Sequence, residues 1–64
     1  MAAIVHNGNI IRNMDGEAFG VWLFETFAGW TIENEWTMST GCQVTELYVW
    51  REGICHRDTV YYWG

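Results

Sequence analysis

The chain has 64 residues, of which eight are acidic, three are arginine and none is lysine, so its formal net charge is −5. A chain of this length forms a single domain, residues 1–64, and buries only a small core. The scarcity of cations argues against direct nucleic-acid binding, which needs Lys and Arg to displace phosphate counterions. It favours a protein whose partner is basic.

Aromatic residues supply the bulk that a small core needs. The chain contains five Trp, three Tyr and three Phe, and each can bury roughly 150–250 Å². Intrinsic disorder is therefore not expected. No apolar run approaches the roughly 20 residues of a membrane span, and the first twelve residues lack the basic start and apolar core of a signal peptide. We expect a cytoplasmic protein with no membrane partner.

The first predicted element is a β-hairpin. Asn7-Gly8 lies between AAIVH and NIIR, and Asn-Gly favours the positive φ angles of a type I′ turn. This turn would place Val5 opposite Ile10 and Ile4 opposite Ile11.

The segment from Glu17 to Ala28 is compatible with a strand or a helix. As a strand it would add Val21, Leu23 and Phe27 to one face of a sheet, with Trp22 and Phe24 on the other. As a helix it would present an apolar stripe at helical spacing, with Asp15 as N-cap and Gly29 as the stop. We therefore predict a small β-rich domain, an all-β antiparallel meander of 5–6 strands. The alternative is an α+β fold with one helix around residues 16–28 packed on the sheet.

Three strands are predicted after Trp30, with sequences TIENEWTMST, QVTELYVWRE and ICHRDTVYYW. Two-residue turns at Thr40-Gly41 and Glu52-Gly53 would join them. The first turn would pair Trp36 with Thr45 and Glu35 with Glu46. The second would give the pairs Trp50–Cys55, Val49–His56 and Tyr48–Arg57.

Alternation of side chains then sorts these residues onto two faces. The predicted core face comprises Ile32, Asn34, Trp36, Met38, Leu47, Val49, Ile54, His56, Val60 and Tyr62. The other face comprises Glu33, Glu35, Val44, Glu46, Tyr48, Trp50, Arg57, Tyr61 and Trp63.

The second face is the candidate binding surface. Three carboxylates would lie together there although like charges that face each other destabilise a sheet, and Trp and Tyr are typical anchors of protein interfaces. An ordinary solvated sheet face and a homodimer interface are the alternatives. The predicted partner-binding residues are Glu33, Glu35, Glu46, Tyr48, Trp50, Arg57, Tyr61 and Trp63.

The sequence predicts no catalytic residues, metal or cofactor. Cys42 and Cys55 match no zinc spacing, and the predicted pairing places them about 25 Å apart, too far for a disulfide. Cys55 and His56 point to opposite faces of one strand. The residues His56 and Asp58 share a face, but a structural hydrogen bond explains such a pair more simply than acid–base catalysis.

Charge and aromatic content lead to the main functional hypothesis: a small acidic, non-enzymatic inhibitor that occludes a basic, nucleic-acid-binding surface of a larger protein. In size and charge the chain resembles phage-encoded inhibitors of bacterial defences, including anti-CRISPR proteins, and this likeness carries over no residue. One alternative is an oligomeric binder of a nucleotide-like small molecule that stacks on aromatic rings. Another is a structural subunit of an assembly.

Overall fold

The computed structural model describes residues 4–64, which form a four-stranded sheet and one helix. The elements are β1 (Ile4–Arg12), α1 (Gly16–Thr26), β2 (Thr31–Thr37), β3 (Gln43–Arg51) and β4 (Ile54–Trp63). Their order in the sheet is β1-β4-β3-β2. Strands β2, β3 and β4 pair antiparallel, and β1 pairs parallel to β4. The β-rich class is confirmed, and the all-antiparallel meander of 5–6 strands is wrong.

Strand β1 replaces the predicted hairpin at Asn7-Gly8. The chain passes straight through these two residues, which lie opposite Asp58 and Thr59 of β4. Neither has the positive φ angle that a type I′ turn requires. A nine-residue ladder along a central strand provides more pairing and burial than an isolated two-stranded hairpin, which is marginal in water. The part of the predicted hairpin before Ile4 lies outside the described residues.

The segment from Glu17 to Ala28, whose sequence is compatible with a strand or a helix, forms most of the helix α1 and the turn that follows it. The Asp15 side chain accepts a hydrogen bond from the Ala18 amide at 2.8 Å, which caps the first turn. The helix ends at Thr26, and Gly29 follows with a φ of 85°. Among residues 4–64, no helix is long and apolar enough to cross a lipid bilayer. The strand prediction for this segment is wrong, because helical spacing places its largest side chains on one side of the sheet.

The core lies between α1 and one face of the sheet, which we call the covered face. Its buried members are Phe19, Phe27, Leu47, Val60 and Tyr62. Partly buried side chains surround them: Ile11, Met14, Trp22, Leu23 and Trp30. The opposite side of the sheet, which we call the open face, carries no helix or strand among residues 4–64.

The turn between β3 and β4 forms as predicted. Glu52 and Gly53 have φ angles of 52° and 75°, the two positive values of a type I′ turn. The predicted pairs Trp50–Cys55, Val49–His56 and Tyr48–Arg57 are confirmed.

The turn between β2 and β3 has three residues, Ser39 to Gly41, instead of two. The Met38 amide donates to the Cys42 carbonyl at 2.8 Å, and the Gly41 amide donates to the Met38 carbonyl at 2.9 Å. Gly41 has a φ of 88°, as in a type I turn closed by a left-handed residue.

This extra turn residue shifts the register of β2 by one. Trp36 pairs with Val44, and Glu35 pairs with Thr45, so the predicted pairs Trp36–Thr45 and Glu35–Glu46 are wrong. A one-residue shift exchanges the two faces of a strand. Asn34 and Trp36 therefore lie on the open face, Glu35 lies on the covered face, and Met38 is an exposed turn residue.

A bulge restores the predicted orientation at the start of β2, on the far side from the turn. The register shifts between Ile32 and Asn34, leaving Glu33 without a paired residue. Ile32 lies on the covered face, as predicted, where it pairs with Leu47, and Glu33 points to the open face.

Candidate functional site

The three carboxylates predicted to form one acidic patch are divided between environments. Glu33 accepts a hydrogen bond from the Arg57 guanidinium in a partly exposed salt bridge. Glu46 lies on the open face between Asn34 and Thr59. Glu35 lies on the covered face. The predicted acidic patch is therefore not assembled.

The aromatic part of the prediction has the expected placement. Tyr48, Trp50, Arg57, Tyr61 and Trp63 all lie on the open face, by the pairing of β3 with β4. Whether they contact a partner stays a prediction.

Several further residues belong to the same surface and were not included in it. They are Ile4, Ile10 and Arg12 of β1, together with Trp36. The Arg12 guanidinium lies 4.3 Å from the centroid of the Trp63 ring, within the range of a cation–π contact. The three residues of β1 are an even number of positions apart, so they share one face of the strand. This spacing identifies the open face only once the parallel pairing of β1 with β4 is known.

The open face has two apolar ends separated by a polar band. At one end, Trp36, Val44, Tyr61 and Ile10 form a row across all four strands. At the other end, Trp50, Cys55 and Ile4 form a second row. The band between them contains Asn34, Glu46, Thr59, Gly8, Glu33, Tyr48, Arg57 and His6, and within it His6 Nε2 lies 3.1 Å from Thr59 Oγ1.

Among residues 4–64, the side chains of the open face carry no net formal charge. Its acids are Glu33 and Glu46, and its cations are Arg12 and Arg57. The formal net charge of −5 therefore belongs to the covered face, the helix, the turns and the edges. The excess of acidic over basic side chains therefore lies away from the open face.

The helix side contains a shallow acidic groove. Its lining residues are Asp15, Glu17, Ala18, Val21, Trp22 and Glu25. The three carboxylates are exposed, and the Trp22 ring is half-buried between the groove and the core. Carboxylates and an indole ring that line the same groove suit a Lys or Arg side chain, because both attract its positive charge.

A second groove, lined by apolar side chains, borders the other flank of the helix. It comprises Gly20, Leu23, Phe24, Phe27, Ala28, Gly29, Trp30 and Ile32. Phe24 is 81% exposed, far more than a large apolar side chain that only fills a core. The helix thus offers carboxylates on one flank and an exposed ring on the other.

Asp58, the acid of the pair weighed for catalysis, is hydrogen-bonded to a side chain of β1. The Asn9 amide donates to both oxygens of the buried Asp58 carboxylate, at 3.0 Å each. Within residues 4–64, no group of three or more His, Cys, Asp or Glu side chains is placed to hold a metal ion. Cys42 and Cys55 are free and buried.

The fold and surface define a small β-rich domain: a mixed four-stranded sheet with one helix, an acidic helix side and a neutral aromatic side. Comparison with protein-family models, with curated proteins and with solved structures gives no match.

Proposed function

We propose that the chain is a small, acidic, non-enzymatic binding protein that occludes a basic surface of a larger protein, such as its nucleic-acid groove. The single observation behind this proposal is the separation of charge, which concentrates the net negative charge away from the open face. Phage-encoded inhibitors of bacterial defences have similar size and charge, and we propose this class of role. We place the protein in the cytoplasm, where its two free thiols stay reduced.

The helix side is the proposed contact surface, in place of the acidic patch predicted from the sequence. Its exposed carboxylates Asp15, Glu17 and Glu25 take the positions that phosphates would occupy on a basic partner. Phe24 and Val21 are both exposed on the same helix and supply apolar contact area beside these carboxylates. This combination of apolar anchor and charged rim is typical of protein interfaces.

Electrostatics would act mainly on the rate of association. A negative surface that meets a positive one accelerates encounter, and the effect falls as salt screens the charges. At physiological ionic strength the screening length is about 8 Å, so raising the salt concentration several-fold should weaken the complex strongly.

A charge reversal on the helix tests this proposal. In the Glu25→Lys variant a cation replaces an acid in the last turn of α1, where the helix dipole favours positive charge. The variant should therefore fold at least as well as the parent chain. Glu52→Lys makes the same charge change in the β3–β4 turn and is the matched control.

The assay has two parts. The chain is used to capture proteins from a host lysate, and each purified candidate is tested for loss of binding to a duplex DNA or RNA probe when the chain is added. We expect release at high salt, at least tenfold weaker inhibition with Glu25→Lys, and less than threefold change with Glu52→Lys. Equal effects of the two variants, or no captured protein whose nucleic-acid binding is inhibited, would refute the proposal.

A second candidate function is a binder of a nucleotide-like small molecule. Two of the three arginines, Arg12 and Arg57, lie among the aromatic rings of the open face, and guanidinium groups and rings suit phosphates and bases. The salt bridge of Arg57 to Glu33 weighs against it. Denaturing the purified protein and measuring the absorbance of released material in the nucleobase band decides between the two, because an inhibitor of a protein releases none.

A further inference from the structure

We propose that the open face packs against the open face of a second copy of this chain, related by a two-fold axis through the polar band. The starting observation is exposure. Ile4 is 65% exposed, Ile10 64%, Trp50 58% and Trp36 44%, and all four lie on this one face. Clusters of large apolar side chains exposed together on one face mark an interaction site.

Charge favours a second copy as the occupant. Two copies with a formal net charge of −5 each repel one another wherever the acidic helix side is involved. The open face is the surface on which that repulsion is absent, because its two carboxylates are matched by two guanidinium groups. A partner of strongly basic or acidic character would find no complementary charge there.

The size of the molecule limits the area that this face can bury. The Cα atoms span 38 × 24 × 15 Å, so the two longer dimensions enclose at most roughly 900 Å² in projection. A stable interface of standard size needs about 800 Å² from each partner. Sheets that pack face to face in this way give a sandwich with the strand directions nearly aligned, and here both acidic helices would point outward.

The order of rows on the face sets the orientation. In a two-fold dimer, if row i of one copy contacts row j of the other, then row j of the first copy contacts row i of the second. A two-fold axis that lies along the polar band, across the strands, places the Trp50 row of one copy on the Trp36 row of the other. The two polar bands then meet, so that Glu46 of each copy can approach Arg57 of the other, and neither charge is buried without an opposite charge nearby.

Sedimentation of the full chain tests the inference. We expect a mass of twice 7.5 kDa at tens of micromolar protein. Trp50→Arg should shift the protein to monomer, since it places a cation in the apolar contact. Phe24→Arg makes a comparable change on the helix side and should leave the dimer intact. A monomeric parent chain, or a dimer that survives Trp50→Arg but is lost in Phe24→Arg, would overturn the inference.

Mixing two variants tests the orientation. Trp36→Arg and Trp50→Glu should each be monomeric alone, and their equimolar mixture should recover a heterodimer, because the new arginine of one chain faces the new glutamate of the other. A mixture that stays monomeric overturns the proposed axis. A ligand or an unrelated protein as the true occupant would appear as a monomeric parent chain. Glu25→Lys should not alter sedimentation, so this result is separable from that of the proposed function.

Discussion

The rings of Phe19 and Tyr62 lie parallel, with an interplanar angle of 1° and their centroids 3.9 Å apart. Phe19 comes from the helix and Tyr62 from the last strand, so this contact joins the two layers of the fold. The Tyr62 hydroxyl also donates to the Met14 carbonyl, immediately before the helix. One residue near the end of the chain thus fixes both the position and the start of α1.

Phe19 is therefore expected to dominate the stability of the domain. Phe19→Ala removes a buried ring and should cost about 3–5 kcal/mol, comparable to the whole stability of a domain of this size at about 0.05–0.15 kcal/mol per residue. Phe19→Leu should cost roughly 1 kcal/mol and leave a measurable unfolding transition. Phe24→Ala removes an exposed ring of the same helix and should change the free energy of unfolding by less than about 0.5 kcal/mol. Urea denaturation followed by circular dichroism distinguishes these outcomes, and equal losses for Phe19→Leu and Phe24→Ala would contradict the packing described here.

The buried pair of Asn9 and Asp58 gives a second prediction. Asn9→Ala leaves the Asp58 carboxylate, only 7% exposed, without the amide that donates to both its oxygens. Hydrogen bonds to charged groups contribute about 1.5–3 kcal/mol, and an unsatisfied buried group costs a similar amount. Asn7→Ala, at an exposed position of the same strand, is the control and should be nearly neutral. The same denaturation assay measures both, and a neutral Asn9→Ala would show that solvent replaces the amide.

Strands β3 and β4 could be predicted from the sequence because their information is local. Alternation runs through both, and Glu52-Gly53 fixes the register between them by turn chemistry. The aromatic members of the open face that lie on β3 and β4 follow directly from that register. For β1 the decisive partner, Cys55, pairs with Ile4 across 51 positions of sequence, and no local signal reports such a pairing. The local Asn-Gly signal therefore predicts a turn at Asn7-Gly8.

The prediction of the acidic patch is wrong because the β2–β3 turn is one residue longer than the sequence predicts. A three-residue turn in place of a two-residue turn transfers Glu35 to the covered face, and the bulge at Glu33 returns the start of β2 to the predicted face. Neither feature has a distinctive sequence signature here, since Thr40-Gly41 fits both turn lengths.

The sequence of α1 is compatible with a strand as well as a helix for a different reason. Its stripe is real, but Phe24 and Val21 point to solvent, so the apolar periodicity is blurred.

The β3–β4 turn allows a test of backbone strain. Glu52 holds a left-handed φ of 52°, a conformation that costs a residue with a side chain about 1–2 kcal/mol, least for Asn. Glu52→Asn should therefore stabilise the domain by about 0.5–1 kcal/mol. Gly53→Ala, at a φ of 75°, should destabilise it by roughly 1 kcal/mol or more. Gly20→Ala is the contrasting glycine substitution, because its Cβ would meet open space in mid-helix, and it should stabilise by about 0.5–1 kcal/mol. Thermal unfolding ranks the three, and a stable Gly53→Ala would contradict the type I′ turn.

The two glutamates of β2 protect the edge of the sheet, where this strand lies. All seven residues of β2 are exposed, and an exposed edge presents unpaired backbone groups to other chains. Charged side chains and a bulge are the usual protection, and β2 has both, in Glu33, Glu35 and the register shift beside them. Glu35→Val should therefore change the free energy of unfolding by less than about 1 kcal/mol while markedly accelerating aggregation.

Glu17→Val removes the same charge and adds the same side chain on the helix, away from the edge, so it controls for net charge and hydrophobicity. Light scattering and thioflavin T fluorescence at matched concentrations follow both variants over time. Aggregation that is faster for Glu35→Val than for Glu17→Val assigns the effect to the edge strand. Equal rates would mean that net charge alone keeps the chain in solution, and the two glutamates would then have no protective role at the sheet edge.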